Sequence, residues 1–90
     1  MLYMVYEKFK TVGAKAVYQR SKERGRMLPE GLNYVSSWVD LEFTKCFQLI
    51  ETEDYALFSK WTDQWKDIVG FEIIPVRTSA EAMAVIAPTL

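Results

Sequence analysis

Residues 46–78, CFQLIETEDYALFSKWTDQWKDIVGFEIIPVRT, contain a complete strand–helix–strand unit. The apolar, β-branched and aromatic runs at 46–51 and 71–78 are typical of β-strands. Between them, large apolar residues recur at helical spacing and form a stripe that faces a core: Leu57, Phe58, Trp61, Trp65 and Ile68. We expect Asp54 to cap this helix and Gly70 to end it.

The first part of the chain has the same order of elements. Residues 2–9 and 32–40 are predicted strands, and residues 14–27 between them form an amphipathic helix. Residues 79–87 are predicted to form a short terminal helix with Ser79 as its N-cap. The whole chain, residues 1–90, is therefore predicted to be one α+β domain of ferredoxin-like β-α-β-β-α-β order.

This order predicts a four-stranded antiparallel sheet with two helices on one face and the first and third strands in the middle. Pro75 lies in the fourth predicted strand. Because proline has no N–H to donate within a sheet, it is expected in an edge strand. The predicted topology places the fourth strand at an edge, in agreement with that expectation.

Composition excludes several classes of function. The 90 residues include 11 basic and 12 acidic side chains, so the excess positive charge of a nucleic-acid-binding protein is missing. The third strand, KCFQLIE, also lacks the glycine and basic residues of an RNA-recognition motif. With no histidine and one cysteine, we expect no metal site, no cofactor and no catalytic residue of the histidine-dependent kinds.

Location is predicted from what the sequence lacks. The start of the chain, MLYMVYEKFK, does not have the pattern of a secretory signal. No apolar stretch is long enough for a membrane span. We therefore expect a cytoplasmic protein with no membrane partner, and the single cysteine is compatible with a reducing compartment.

The predicted strands carry apolar side chains on both faces of the sheet. In the first strand they divide into Tyr3, Val5 and Phe9 on one side and Leu2, Met4 and Tyr6 on the other. The terminal helix is too short to cover the face that the two main helices leave bare. We therefore expect a homodimer that joins its sheets face to face, with a monomer exposing aromatic side chains as the alternative.

Three stretches carry a family resemblance: GRMLPEGL (25–32), YVSSWV (34–39) and CFQL (46–49). With most of the remaining chain, they resemble a small uncharacterised bacterial family, a domain of unknown function. The resemblance implies the dimeric α+β barrel superfamily, in which ferredoxin-like subunits join their sheets around a central cavity. It implies no particular reaction.

The space between the two expected sheets is the predicted site. Met4, Cys46 and Ile50 would line it, and its polar groups would be ligand-binding residues: Tyr6, Tyr34, Ser36, Trp38 and Gln48. A mostly apolar lining with few polar groups suits a small apolar or aromatic molecule. The alternative is that these side chains only form a dimer core. Without a histidine partner, Cys46 is expected to be an inert buried thiol.

The tryptophans of the second helix and the basic residues of the first helix are expected to have structural roles. Trp61 and Trp65 are expected in the core, and the basic residues of the first helix and its end are expected in solvent. Two functions remain. The first is a non-catalytic small-ligand-binding or assembly module, and the alternative is a cofactor-free enzyme of oxygenase or isomerase type with its site between the sheets.

Overall fold

The computed structural model describes residues 1–11 and 13–90. Its elements are, in chain order, β1 (Leu2–Phe9), α1 (Gly13–Arg24), β2 (Asn33–Val39), β3 (Lys45–Glu51), α2 (Leu57–Thr62), β4 (Val69–Val76), α3 (Ser79–Ile86) and a 3₁₀ turn (Ala87–Thr89). The strands form one antiparallel sheet in the order β2-β3-β1-β4. This α+β arrangement fits a ferredoxin-like fold, and Pro75 lies in the edge strand β4.

The core lies between one face of the sheet and the helices α1 and α2. Tyr3, Val5 and Ile50 point from the central strands into this layer, and Val17 reaches it from α1. From α2 and the turns that follow it come the large side chains Phe58, Trp61, Trp65 and Ile68. The helical stripe predicted between residues 57 and 68 is therefore buried, although regular α-helix ends at Thr62.

The other face of the sheet has no helix over it, and we call it the open face. Its apolar residues follow from the strand register: Leu2, Met4, Tyr6, Trp38, Phe47, Leu49, Ile74 and Val76. Trp38 is 53% exposed and Ile74 is 42% exposed. The α3 helix does not cover this face, because every residue from Arg77 to the end of the chain is exposed.

Several element boundaries differ from the sequence predictions. The α1 helix ends at Arg24 rather than at residue 27, because Gly25 and Met27 take left-handed backbone angles with φ of 67° and 59°. Gly70 does not end a helix but lies in β4, which spans 69–76 rather than 71–78. A glycine can lie in a strand as well as after a helix, so its position alone does not distinguish the two.

The N-cap of α3 is Thr78 and not Ser79. The Thr78 hydroxyl accepts a hydrogen bond from the backbone N–H of Glu81, and the Glu81 carboxylate accepts one from the backbone N–H of Thr78. This reciprocal capping box requires a hydroxyl residue three positions before a glutamate. Thr78 meets that spacing and Ser79 does not.

Candidate functional site

A cavity of about 280 Å³ lies between α1 and the sheet, on the face that the helices cover. We call it the helix-side pocket. Apolar side chains form much of its wall: Phe9, Val17, Val39, Trp61 and Trp65. Polar side chains from three strands and from α1 and its end complete it: Glu7, Tyr18, Ser21, Arg26, Ser37, Cys46 and Gln48.

Glu7, Gln48 and Arg26 form a hydrogen-bonded chain at the wall of the pocket. The Gln48 Nε2 amide donates to Glu7 Oε2 at 2.5 Å, and Arg26 Nε donates to Gln48 Oε1 at 3.3 Å. Since a carboxylate only accepts and a guanidinium only donates, the two contacts fix which end of the amide faces which partner. Glu7 and Gln48 are each 6% exposed, so the chain runs from the buried sheet outward to Arg26.

The backbone around Arg26 is held by two tryptophans. The indole N–H groups of Trp61 and Trp65 both donate to the Arg26 carbonyl oxygen, at 3.0 and 3.1 Å. On the next residue, Met27, the positive φ is strained for a side chain with a Cβ atom. Strained backbone that its surroundings hold in place is frequent at functional sites. The tryptophans are therefore part of the core, as predicted, and also fix the segment that carries Arg26.

The Arg26 side chain covers the edge of the pocket. Its guanidinium lies 4.0 Å from the centre of the Tyr34 ring, and Arg26 Nη2 donates to Ser37 Oγ at 3.3 Å. A 2.7 Å hydrogen bond joins the Tyr34 and Ser37 hydroxyls. Stacking on an aromatic ring and hydrogen bonding restrict a side chain that is usually mobile. Arg26 is exposed, as predicted, but these contacts hold its side chain at the edge of the pocket.

Burial controls protonation in the pocket. It raises the pKa of Glu7 above the ordinary glutamate value, against the smaller lowering effects of Gln48, Cys46 and Arg26. Burial, together with the negative charge of Glu7, also raises the pKa of the Cys46 thiol to about 12. Cys46 is therefore a thiol rather than a thiolate near neutrality, and nucleophilic catalysis by this cysteine is disfavoured.

The structure does not bring the five predicted site residues together. Gln48 lines the helix-side pocket, and Tyr34 contacts Arg26 at the edge of that pocket. The other three lie on the open face: Tyr6, Ser36 and Trp38. There Phe47 is the cross-strand neighbour of both Tyr6 and Trp38. Met4 also lies there, whereas Cys46 and Ile50 face the helices. The single lining expected for these side chains is therefore wrong.

An irregularity in β2 explains part of this division. Tyr34 is paired with Ile50 and Ser36 with Leu49, so the pairing register shifts between them. In a regular strand two residues separated by one would share a face, but an extra residue in one strand reverses that relationship. Tyr34 consequently lies on the helix side and Ser36 on the open side. Ser37, rather than Ser36, therefore lines the helix-side pocket.

Sequence reasoning missed Glu7, Arg26 and Ser37. For Glu7 the sequence contains a signal: in LYMVYEKF it occupies the same alternating series as Tyr3, Val5 and Phe9. A carboxylate at a buried position of a strand is unusual and indicates either a paired charge or a functional group. Arg26 and Ser37 have no comparable local signal, because their places depend on the end of α1 and on the bulge in β2.

Within residues 1–11 and 13–90, no cluster of three or more histidine, cysteine, aspartate or glutamate side chains is arranged to hold a metal ion. In the same described residues, no helix is both long and apolar enough to cross a membrane. The helix-side pocket itself presents a buried carboxylate, an oriented amide and a cation beside apolar walls.

Comparison with known proteins identifies the family of the chain. No curated protein and no solved structure matches the chain. One family model does match, and it covers residues 1–90, which is the whole sequence. Its description is "Domain of unknown function (DUF3303)". The uncharacterised family expected from the sequence is thereby supported, and the chain belongs to the DUF3303 family.

Proposed function

We propose that this protein binds a small, mostly apolar molecule in the helix-side pocket. The observation that carries the proposal is an open cavity of about 280 Å³ whose apolar wall surrounds one fixed polar chain, Glu7–Gln48–Arg26. Natural ligand pockets combine apolar walls with few oriented polar groups in this way.

Pocket size and charge restrict the ligand. The cavity is at the lower limit of roughly 300–1,000 Å³ for ligand sites, so a molecule of one or two rings would fill it. Trp61 and Trp65 favour a flat aromatic or unsaturated framework. Glu7 accepts hydrogen bonds from ligand O–H or N–H groups, and Arg26 donates to a carbonyl or carboxylate. The ligand class is therefore a small aromatic or unsaturated molecule with one or two polar groups.

Indole N–H resonances can test the pocket without a known ligand. We would titrate ¹⁵N-labelled protein with indole, benzimidazole and 2-naphthol and follow the three tryptophan side-chain signals. Trp61 and Trp65 line the pocket, whereas Trp38 lies on the open face and is an internal control. Shifts of the first two signals with an unchanged third would support the proposal. If none of the three probes moves them, the proposal is wrong.

A pair of variants on α1 makes the test specific. Ser21 lines the pocket, and Gln19, on the same helix, is exposed. Ser21→Phe would place a ring in the cavity and abolish the probe-induced shifts, whereas Gln19→Phe would leave them. Equal binding by both variants would place the bound probe outside the pocket.

We further propose that two copies of the chain pair through the open face. Supporting this are the exposed Trp38 and Ile74 and the apolar side chains around them, since a contiguous apolar patch favours association. On this face the rings of Tyr6 and Phe47 contact each other in a tilted arrangement, with their centres 5.4 Å apart. A two-fold pair would cover both copies of the face at once. A barrel-like dimer and a cytoplasmic location stay predictions.

Native mass spectrometry measures this pairing directly. We expect a dimer for the unmodified protein and a monomer for Trp38→Lys. Leu41→Lys is the matched control, because Leu41 is 97% exposed in the turn between β2 and β3 and does not lie on the open face. A monomeric unmodified protein at micromolar concentration would contradict the dimer without affecting the pocket proposal.

A further inference from the structure

We infer that Glu7 is a general base that removes a proton from the molecule bound in the helix-side pocket. The pocket then supports a cofactor-free proton transfer, such as the isomerisation of a small unsaturated carbonyl compound. This inference rests on the proposed binding function and goes beyond it, because it assigns a chemical step to the bound molecule.

The surroundings of Glu7 differ from those of a structural carboxylate. Buried charges in proteins are usually paired with an opposite charge, since removing a carboxylate from water is costly. Among the described residues, Glu7 makes no salt bridge. Its contact is the neutral amide of Gln48, which lies between it and Arg26. The fold thus keeps a carboxylate at a buried position with only neutral donors in contact.

The geometry leaves Glu7 available to a ligand. The carboxylate lines the cavity, and the hydrogen bond from Gln48 is made to one oxygen, Oε2. Gln48 cannot turn freely, because its own oxygen accepts from Arg26. The carboxylate is therefore held in one orientation beside the space that a ligand would occupy. A general base must be positioned in this manner before its basicity matters.

The basicity of the Glu7 carboxylate also suits a general base. Burial raises the pKa of Glu7, so its carboxylate is a stronger base than that of an exposed glutamate. The titratable or charged groups that face it are Cys46 from β3, Arg26 from the segment after α1 and Tyr18 from α1. Of these, Arg26 carries the positive charge that can stabilise an anion.

The proposed step needs no oxidant, reductant or cofactor. A ligand C–H bond next to a carbonyl breaks, its proton moves to the Glu7 carboxylate, and its electron pair forms an enolate. Arg26, at the cavity wall, stabilises the negative oxygen. The protonated Glu7 then returns the proton to another carbon of the same ligand. The carboxylate is regenerated, and the product is an isomer of the starting molecule.

A generic carbon acid can test the base without knowledge of the natural substrate. 5-Nitrobenzisoxazole loses its carbon-bound proton to a base while its ring N–O bond breaks, which gives coloured 2-cyano-4-nitrophenolate. We expect the full-length protein to accelerate this reaction. The rate should rise with pH through an apparent pKa above that of an exposed glutamate. Glu7→Gln should lower the protein-dependent rate by about 100-fold or more.

Three comparisons make the result decisive. Glu72→Gln, at an exposed carboxylate of β4, should leave the rate unchanged. Glu7→Asp keeps a carboxylate but withdraws it from the ligand, so it should retain part of the rate together with the shifted pH profile. Thermal melting of each variant checks that it remains folded.

Failure of this inference is distinguishable from failure of the pocket. If the benzisoxazole shifts the Trp61 and Trp65 indole signals but the unmodified protein and Glu7→Gln give equal rates, Glu7 is not a base and the binding proposal stands. If the benzisoxazole shifts neither signal, the pocket proposal fails for this probe, and the inference that depends on it is overturned as well.

Discussion

Gln48 donates its side-chain amide to the carboxylate of Glu7 at 2.5 Å, although 41 residues separate them in the sequence. Both lie on central strands and both are buried. The contact exists because β1 and β3 pair antiparallel, with Val5 opposite Gln48 and Glu7 opposite Cys46. The pairing of the two strands thus places a polar pair inside the layer between the sheet and the helices.

The Glu7 carboxyl should make stability depend on pH. Its pKa is raised in the folded protein, so between the ordinary glutamate value of 4.5 and the raised value the folded state holds more protons than the unfolded state. Stability must therefore fall as pH rises through that interval. Urea unfolding of the unmodified protein across this range should show the fall, and Glu7→Gln should remove it. A pH dependence identical in the two proteins would contradict the burial of Glu7.

Cys46 should be unreactive in the folded protein. Its pKa is raised to about 12, first by burial and then by Glu7, so very little thiolate is present near neutrality. We expect slow labelling by iodoacetamide under native conditions and rapid labelling in urea. The Glu7→Gln variant, which lacks the nearby negative charge, should label somewhat faster. Rapid native labelling of the unmodified protein would show that the pocket wall is open at β3.

Gly31 should be sensitive to substitution. Its φ is 100°, and a Cβ atom placed there would lie 2.7 Å from Leu57 Cδ1. Gly31→Ala combines backbone strain with a displaced side chain, and we expect a loss of roughly 1–3 kcal/mol in the free energy of unfolding. Gly25→Ala is the control, because Gly25 also has a positive φ but no atom lies within 4 Å of its Cβ position. Equal losses would show that the contact with Leu57 is unimportant.

Trp65→Phe should weaken both the core and the pocket wall. The substitution removes an indole that is 5% exposed and one of the two donors to the Arg26 carbonyl. A loss of about 1–3 kcal/mol is expected from the reduced packing and the lost hydrogen bond. Trp38→Phe, on the open face, should cost much less in the monomer.

The double variant Trp61→Phe, Trp65→Phe would leave the Arg26 carbonyl without either of these donors. Because the two indoles share one acceptor, we expect their combined effect to differ from the sum of the single effects. Strict additivity, measured by urea unfolding, would contradict a joint role in holding the Arg26 segment.

Asp67 should contribute stability that is lost in acid. Arg20 donates to both of its carboxylate oxygens, at 2.8 and 2.7 Å, and joins α1 to the segment after α2. This contact holds the pKa of Asp67 down to about 2. The contribution is present above the ordinary aspartate value of 3.8 and falls as pH decreases toward 2. Asp67→Asn should lower the melting temperature near neutrality, and the difference in melting temperature between this variant and the unmodified protein should become smaller in acid. Asp63→Asn should lower the melting temperature less.

Local patterns were enough to predict the elements of this protein. The first strand was predicted with its observed bounds, 2–9, because LYMVYEKF has strand-forming residues throughout. The stripe from Leu57 to Ile68 was correctly predicted to face the core. The end of α1 was predicted less accurately, because a backbone angle at Met27 decides it. The N-cap of α3 was assigned to the wrong residue, because a reciprocal hydrogen bond between Thr78 and Glu81 decides it.

The candidate site was only partly predictable, for a different reason. Gln48 was named from the sequence, but it was grouped with Tyr6, Ser36 and Trp38, which the structure places on the opposite face. Alternation within a strand shows which residues share a side, but it does not show which sides of two strands coincide. That relationship requires the register, and a shift of one residue reverses it.

The sequence by itself determined the order of the strands and helices, the apolar character of both sheet faces and the absence of histidine chemistry. These properties follow from residue type and spacing along the chain. Only the tertiary structure decided that Glu7 meets Gln48, that Arg26 completes their chain and that the pocket lies under α1. The physical reason is that these contacts depend on cross-strand register, on one bulge in β2 and on the left-handed backbone after α1, none of which is encoded within a local stretch of sequence.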